Sequence, residues 1–117
     1  MIKGIGLDII KVNKFRNKPF KKNESFYRNI FSNEEINYCI KRKDPYPHFA
    51  GKFAAKEAVI KAIDSKLKLN EINIKNKKNG TPIVQIKNYS PYEILVSITH
   101  EKDNALALSI FQRTASK

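Results

Sequence analysis

The chain has few of the features that direct a protein out of the cytoplasm. Cys39 is its single cysteine, so no internal disulfide can form, and this fits a reducing compartment. No apolar run approaches the roughly 18 residues that a membrane span needs. The first residues carry no signal-peptide pattern. We therefore expect a cytoplasmic protein that does not enter a membrane.

Acidic residues are also scarce. The 11 Asp and Glu face 23 Lys and Arg, which gives a net charge of +12. Such a charge favours an anionic partner. Nucleic acid, a phosphorylated ligand and an acidic protein are the three possibilities. Only four of the basic residues are Arg. Because base readout relies on the bidentate Arg fork, this composition mildly disfavours sequence-specific nucleic-acid binding.

The length and the hydrophobic content predict one folded domain over residues 1–117. A chain of 117 residues with 41% hydrophobic residues can build a modest core. No internal repeat, low-complexity tract or long linker divides it. A chain this short often gains further burial by forming an oligomer.

Hydrophobic periodicity predicts an α+β fold, with an antiparallel sheet packed against a long helix. Residues 2–10 read as a buried strand, and the basic, aromatic segment 11–31 as short helices broken at Pro19. Ser32 and Glu35 form a capping box that starts a helix to about Arg42, on which Tyr38 and Cys39 are expected to pack. After a stiff loop at 45–47, a long helix is predicted over 49–62. Four strands follow, at 69–75, 83–86, 94–99 and 105–111, with a turn at 79–80.

Two carboxylates stand out against this apolar pattern. Asp8 lies inside an apolar strand, where its charge is costly unless it is paired or binds a metal; the alternative is that it caps the next helix. Glu57 precedes Lys61 by four residues, and its alternative is an ordinary ion pair worth about 0.3–0.5 kcal/mol. Together, Asp8 and Glu57 could hold Mg²⁺, which prefers oxygen ligands and completes its shell with water and substrate phosphates.

The long helix carries two further features. Lys56 falls within its apolar face, where the simple interpretation is that the stem covers apolar surface while the amine reaches solvent. Ala50 and Ala54 lie on the same side as Glu57 and Lys61. Their small side chains predict bare helix surface on which a ligand docks.

Four segments resemble holo-[acyl-carrier-protein] synthase, the small bacterial class of 4′-phosphopantetheinyl transferases. They are 4–10 (GIGLDII), 49–58 (FAGKFAAKEA), 79–82 (NGTP) and 97–100 (SITH). They occur in the order and spacing of that family and cover nearly the whole chain. The resemblance implies transfer of the phosphopantetheine arm of coenzyme A to a serine of apo-acyl carrier protein, with release of adenosine 3′,5′-bisphosphate, in fatty acid biosynthesis.

The resemblance also implies roles for individual residues. Asp8 and Glu57 match the metal carboxylates, for Mg²⁺ or alternatively Mn²⁺, and Lys61 matches a catalytic lysine near the pyrophosphate. The residues matched to coenzyme A binding are Lys52, Lys61, Gly80, Pro82, Thr99 and His100. The sequence does not identify the general base: Glu57 could take the serine proton directly or through a metal-bound water, and His100 is a less favoured base.

The family works as a homotrimer with active sites between subunits, and its acidic carrier protein docks on a basic segment. The residues matched to that segment are Lys14, Arg16, Lys18, Lys21 and Lys22. The chain departs from the family at Lys11, Lys14 and Lys52, where Glu, Arg and Arg are usual, and residues 64–68 replace a Gly-rich turn. The contacts of that turn are therefore not carried over.

A basic RNA-binding or ribosome-associated module is the alternative function. Its support is the high Lys content and the aromatic residues at 15, 20, 26, 27 and 31, which could stack on bases. This alternative leaves Asp8 and Glu57 unexplained. Our interpretation from the sequence is therefore an enzyme that does not bind nucleic acid.

Overall fold

The computed structural model describes residues 1–89 and 91–114. Its strands are β1 (Ile2–Lys11), β2 (Asn73–Asn76), β3 (Pro82–Gln85), β4 (Tyr92–His100) and β5 (Asn104–Arg113). Its α-helices are α1 (Asn13–Arg16), α2 (Glu24–Arg28), α3 (Asn33–Ile40) and α4 (Pro45–Ile63), with short 3₁₀ turns at Phe20–Lys22 and Leu69–Glu71. The α+β class, the antiparallel pairing and the long helix are confirmed.

The strands form two sheets rather than one meander. In the larger sheet β5 lies between β1 and β4, and both pairings are antiparallel. The hairpin β2–β3 is a separate two-stranded sheet. An apolar groove lined by Ile83, Val84, Ile94 and Val96 separates β3 from β4. The open groove thus lies where a continuous meander would have paired these two strands.

Helix α4 packs on one face of the three-stranded sheet and leaves the other face open. On the α4 side, Gly6, Ala107 and Ser109 are buried. On the opposite side, Ile5 and Leu7 are 65% and 55% exposed. The prediction that residues 2–10 form a buried strand is therefore only half right in the single chain, because one face of β1 has no cover.

Helix α4 begins four residues earlier than the sequence pattern predicts. Asp44 caps it, because its side chain accepts a hydrogen bond of 3.3 Å from the N–H of Tyr46. Pro45 occupies the first turn, where a missing N–H costs nothing, so the predicted loop at 45–47 is helical. The helix ends at Asp64, which takes the left-handed conformation (φ 51°) usually left to glycine.

Two glycines allow β1 to lie directly against the backbone of α4. A Cβ atom on Gly4 would overlap the carbonyl oxygen of Ala62, and one on Gly6 would overlap that of Ala58. The two glycines are two residues apart on β1, and the two carbonyl groups that they contact are four residues apart on α4. This backbone contact brings Asp8 and Glu57 to the same place in the fold, since each lies close to one of these pairs in sequence.

We expect Gly6→Ala to destabilise the protein by more than about 3 kcal/mol, because neither backbone can move without disturbing the sheet. Gly51→Ala is the matched control. Its Cβ would meet the Cγ2 atom of Ile98 at 3.0 Å and the Cδ2 atom of His100 at 3.4 Å, and both atoms belong to side chains that can shift. Urea unfolding of both variants measures the difference. Equal stability of the two would show that the close approach does not matter.

The N-terminal helices enclose an aromatic core. Phe15, Tyr27 and Phe31 are almost completely buried around Phe49 of α4, and the Tyr27 and Phe49 ring centroids lie 4.7 Å apart. The hydroxyl of Tyr27 donates to the carbonyl oxygens of Phe15 and Lys18. These rings therefore hold α1 and α2 onto α4 and are not exposed for stacking on bases. Phe20 and Phe26 are partly buried and pack against the same core, which weakens the aromatic support for the RNA-binding alternative.

Candidate active site

Asp8 and Lys61 meet where β1 crosses α4, and Glu57 lies one helical turn before Lys61 on α4. The Nζ atom of Lys61 donates to the carbonyl oxygen of Leu7 at 2.9 Å and to Oδ1 of Asp8 at 3.1 Å. A helical side chain points towards the helix N-terminus, so Lys61 reaches back along α4 towards the level of Glu57. The carboxylate of Asp8 is largely buried, with 16% of its side chain exposed.

Both simple alternatives for the carboxylates are wrong. Asp8 caps no helix: it lies in the middle of β1, opposite Ala107, and the N-cap of α1 is Val12. Among the ion pairs of residues 1–89 and 91–114, Lys61 pairs with Asp8 and not with Glu57. Glu57 therefore remains a half-buried carboxylate whose expected partner is engaged elsewhere.

The donor set at this crossing suits a hard cation. Asp8 and Glu57 supply carboxylate oxygens from two elements whose relative position is fixed by the glycine contacts. In the part of the chain that the structure describes, no group of three or more His, Cys, Asp or Glu side chains is close enough to hold a metal. A cation here would therefore take its remaining ligands from water and a substrate, which is the usual situation for Mg²⁺.

A cleft of about 150 Å³ lies at the N-terminal half of α4. Its lining comes from α3, α4, the β2–β3 hairpin and β4: Tyr38, His48, Gly51, Lys52, Asn76, Gly80, Pro82, Ile98 and His100. Ile98 pairs with Ala107, which pairs with Asp8, so the cleft and the carboxylates lie on the same face of the sheet.

The cleft assembles four of the residues that were matched to coenzyme A binding, and leaves out two. Lys52, Gly80, Pro82 and His100 line it, although they are far apart in sequence. Lys61 lies instead at Asp8. Thr99 alternates with His100 along β4, so it lies on the open face of the sheet, where its side chain points away from α4.

Lys52 enters the cleft from a buried position. Its Nζ atom donates to the carbonyl oxygen of Ile74 at 2.7 Å and to Oδ1 of Asn76 at 2.6 Å, and it lies 4.6 Å from the centre of the Tyr38 ring. Burial lowers the pKa of Lys52. An ammonium group has three donors, so one remains for a ligand after these two bonds.

Asn76 links Lys52 to the turn of the β2–β3 hairpin. Its amide donates to the carbonyl oxygen of Gly80 at 3.0 Å. Gly80 has a φ of 92°, which a residue with a side chain rarely adopts. The turn that lines the cleft is therefore held in place by the same amide that accepts from Lys52.

Sequence reasoning missed Tyr38, His48, Gly51 and Asn76. Tyr38 was assigned only to helix packing, and His48 lay beside the segment interpreted as a loop. His48 contacts His100, with ring centroids 4.7 Å apart. Burial lowers the pKa of His48, and the neighbouring His100 and Arg42 lower it further. The signal available in the sequence was that the chain has only two histidines.

Lys56 is completely buried, so the interpretation that its amine reaches solvent is wrong. Its Nζ atom lies 2.7 Å from Oε1 of Glu35 and donates to the carbonyl oxygens of Ile30 and Leu69 at 2.7 and 3.0 Å. Burial lowers the pKa of Lys56, and Glu35 opposes that shift.

Glu35 and Lys52 together satisfy the free edge of β2. The second carboxylate oxygen of Glu35, Oε2, accepts from the N–H of Ile74 at 2.6 Å, and Lys52 donates to the carbonyl of the same residue. Two charged side chains thus take the place of a neighbouring strand. The buried pair of Lys56 and Glu35 is therefore connected to the cleft through Ile74, Lys52 and Asn76.

Ala50 and Ala54 do not provide a docking surface. Both are completely buried, Ala50 in the aromatic core and Ala54 against the sheet. The small side chains of α4 serve instead to bring the helix close to β1 and β5. The expectation of bare helix surface at these two positions is wrong.

Four side chains of the basic segment are exposed, and the fifth forms an ion pair. Lys14, Lys18, Lys21 and Lys22 are exposed. Arg16 forms a double hydrogen bond with the carboxylate of Asp44, at 3.0 and 3.1 Å. The lysines therefore form a positive surface on α1 and the following turn, while Arg16 anchors that surface to the start of α4. None of the described helices has the length and apolar character to cross a membrane.

Comparison with known proteins places this geometry in a family. The model of the 4′-phosphopantetheinyl transferase superfamily matches residues 4–110. A holo-[acyl-carrier-protein] synthase of Thermodesulfovibrio yellowstonii is 38% identical over 94% of this chain and 98% of its own length. That of Clostridium tetani is 37% identical over 96% and 97% of the two chains.

Solved structures agree with the sequence comparison. A holo-(acyl-carrier-protein) synthase of Bacillus anthracis, in complex with CoA (3′,5′-ADP), superposes with a TM-score of 0.83 at 30% identity, covering 97% of this chain and 99% of that one. The Helicobacter pylori enzyme in complex with coenzyme A gives 0.78 at 26%, covering 92% and 99%. The chain therefore belongs to the 4′-phosphopantetheinyl transferase superfamily, as a member of the holo-[acyl-carrier-protein] synthases.

Proposed function

We propose that this protein transfers the 4′-phosphopantetheine group of coenzyme A to a serine of an apo-acyl carrier protein and releases adenosine 3′,5′-bisphosphate. The observation that carries this proposal is the pairing of Lys61 with Asp8 on the same face of the sheet as a cleft lined by Lys52 and two histidines. The Bacillus anthracis relative, solved with CoA (3′,5′-ADP), supports the choice of ligand.

In this reaction the serine oxygen attacks the phosphorus next to the pantetheine arm. The bond between that phosphorus and the bridging oxygen of the pyrophosphate breaks, and the leaving group is adenosine 3′,5′-bisphosphate. Charge develops on the leaving phosphate, so fixed positive charge beside it is the main catalytic requirement. Lys61 supplies such a charge at the β1–α4 crossing, and Lys52 supplies another in the cleft.

Asp8 and Glu57 are the residues that would hold Mg²⁺, or Mn²⁺. The bound cation would neutralise charge on the pyrophosphate. Glu57 is also the proposed acceptor of the serine proton, since Lys61 pairs with Asp8 and leaves this carboxylate without that cation. The chain's own contribution is to fix both carboxylates through the backbone contact of Gly4 and Gly6 with α4.

The coenzyme A nucleotide is proposed to occupy the cleft. Lys52 and His100 would contact phosphate, while Gly80 and Pro82 would lie against the nucleoside. Thr99 lies on the open face of the sheet, so its proposed contact with coenzyme A requires a site shared between subunits. The cleft of a single chain is small, which agrees with a site completed by a neighbour.

The open face of the sheet is proposed to form a homotrimer. Ile5, Leu7 and Ile9 of β1 and Leu95 of β4 are between 47% and 65% exposed on this face. Such a contiguous apolar surface is unusual on a monomer and typical of an interface. Trimerisation would bury it and would bring Thr99 of one subunit towards its neighbour.

We expect Leu7→Glu to convert the trimer into a monomer and to remove most of the transfer activity, because it places a charge at the centre of the apolar face. Light scattering coupled to size-exclusion chromatography measures the mass of the particle. Lys66→Glu, an exposed change away from this face, is the control. A wild-type chain that is monomeric and fully active would contradict the proposed assembly.

The exposed lysines of the basic segment are proposed to dock the acidic carrier protein. We expect Lys14→Glu with Lys21→Glu to raise the KM for carrier protein by at least about tenfold, with less than about a twofold change in the KM for coenzyme A. The effect should diminish at high salt. The pair Lys66→Glu with Lys87→Glu makes the same charge change elsewhere; equal effects of the two pairs would argue against a specific docking surface.

In the cell, we propose that the protein acts as a single domain in the cytoplasm, where it supports fatty acid biosynthesis.

The experiment that tests the activity is incubation with apo-acyl carrier protein, coenzyme A and Mg²⁺, followed by measurement of the intact mass of the carrier protein. A carrier protein whose acceptor serine is replaced by alanine is the control. An unchanged mass of the serine form with Mg²⁺ and with Mn²⁺ would overturn the proposal.

A further inference from the structure

We infer that His48 is a second phosphate-binding residue of the cleft and that, together with His100, it takes up a proton from solvent when a phosphate of the coenzyme A nucleotide enters. This inference rests on the proposed function and extends it to a residue of the first turns of α4. This proton uptake makes the affinity of the cleft for the nucleotide depend on pH.

The geometry places two titratable rings at one point of the cleft wall. The His48 and His100 ring centroids are 4.7 Å apart, with the ring planes at 69°. The two rings come from different elements, α4 and β4, and both line the cleft. Such a contact disfavours two positive charges in the free protein, because like charges at this distance repel each other.

The residues that line the cleft include one lysine and no carboxylate. Lys52 lines the cleft, and the guanidinium of Arg42 lies 4.0 Å from the ring centre of Tyr38, another lining residue. Asp44 is the acidic group that acts on His48, but its carboxylate is paired with Arg16. The other charged and titratable groups that line the cleft or act on His48 are Tyr38, Arg42, Asp44 and Lys52.

An empty cleft with these neighbours keeps His48 neutral. Burial, His100 and Arg42 all lower the pKa of His48 below its ordinary value of about 6.5. Asp44 raises it by a smaller amount. Near neutral pH the cleft of the free protein therefore carries the charge of Lys52, while His48 is uncharged.

A phosphate in the cleft reverses this balance. A doubly charged anion beside the two rings favours their protonated forms and raises the pKa of the pair. Between the pKa of the free protein and that of the complex, binding takes up a proton, so affinity falls as pH rises by up to about tenfold per pH unit. Above pH 7 the phosphate itself is already doubly charged, since its second pKa is about 6.

Proton NMR can measure this directly, because the chain has only two histidines and therefore two imidazole Hε1 signals. The signals are assigned with His48→Phe and titrated with pH in the free protein, with adenosine 3′,5′-bisphosphate and with adenosine. We expect adenosine 3′,5′-bisphosphate to raise the pKa of the pair by at least about one unit and adenosine to leave it unchanged. His48→Phe should weaken binding of adenosine 3′,5′-bisphosphate at least about fivefold at pH 7 and reduce its pH dependence.

The outcomes separate this inference from the proposed function. If the carrier protein is modified and adenosine 3′,5′-bisphosphate binds while both histidine pKa values stay the same, the inference is wrong and the activity stands. If adenosine raises the pKa values as much as adenosine 3′,5′-bisphosphate does, the rings contact the nucleoside and not a phosphate, and the inference is again wrong. If no adduct forms and adenosine 3′,5′-bisphosphate does not bind, both fail.

Discussion

Asp8→Asn and Glu57→Gln should each reduce kcat for phosphopantetheine transfer by at least about 100-fold, which corresponds to about 2.7 kcal/mol of lost transition-state stabilisation. Each change removes one negative charge and keeps the shape of the side chain. The stability of both variants should remain close to that of the wild type. For Asp8 the reason is that an amide can still accept the hydrogen bond from Lys61.

Initial rates of adduct formation and urea unfolding, measured on the same preparations, test this prediction. Glu24→Gln is the control, because Glu24 is an exposed carboxylate on α2 that pairs only with Arg28. It should keep wild-type kcat. A retained kcat within tenfold of wild type in either site variant would refute the assignment of that carboxylate. Both variants should need a higher Mg²⁺ concentration for their half-maximal rate, and an unchanged Mg²⁺ dependence would contradict metal binding there.

Lys56→Met should lower the free energy of unfolding by about 3–5 kcal/mol, a large part of the stability of a domain this size. The change leaves the charge of Glu35 buried without its cation, at a position where 1% of the residue is exposed. Two backbone N–H groups still donate to Glu35, from Ser32 at 2.8 Å and from Ile74 at 2.6 Å. These bonds cannot replace a full opposite charge in a dry core.

A double variant distinguishes the lost charge from the lost packing. Lys56→Met with Glu35→Gln leaves no buried charge, and the amide oxygen of the glutamine can still accept from the N–H of Ile74. We expect it to recover at least half of the stability lost in Lys56→Met. Urea unfolding gives both values, and Arg28→Met, at an exposed pair, should cost less than about 1 kcal/mol. A double variant as unstable as Lys56→Met alone would show that packing, not charge, sets the cost.

The same pair should affect coenzyme A binding. Because Glu35 holds the edge of β2 at Ile74, and Lys52 holds the same residue from the cleft, loosening this strand displaces Lys52 and the turn at Gly80. In the folded fraction of Lys56→Met, the KM for coenzyme A should therefore rise more than the KM for carrier protein. A uniform loss of activity with both KM values unchanged would indicate only a smaller folded population.

Local patterns predict most of the fold because each element carries its own signal. The capping box at Ser32 is present as predicted, with both of its hydrogen bonds. The alternation along β4 and β5 places the strands within two residues of their observed ends. The start of α4 was missed because two prolines resemble a loop, although proline is well tolerated in a first helical turn. The split into two sheets, with an open groove between β3 and β4, depends on how whole elements pack, which no local pattern predicts.

The candidate site, like the fold, could be predicted from the sequence only in part. Asp8 and Glu57 could be picked out as charges in apolar surroundings, and the family resemblance supplied their roles. The true partners of the lysines could not be read from spacing. Lys61 follows Glu57 by one helical turn but pairs with Asp8, and Lys56 pairs with Glu35, 21 positions earlier in the chain. Such contacts are set by the packing of whole elements, which also brings His48 against His100.

The most direct test of the account is the stoichiometry of a single reaction mixture that contains the protein, coenzyme A, Mg²⁺ and an apo-acyl carrier protein. Intact-mass spectrometry counts the carrier molecules that gain phosphopantetheine, and chromatography counts the adenosine 3′,5′-bisphosphate released. The account predicts equal amounts of the two products, and neither when the metal is removed with a chelator. An unmodified carrier protein, or modification without release of adenosine 3′,5′-bisphosphate, would contradict it.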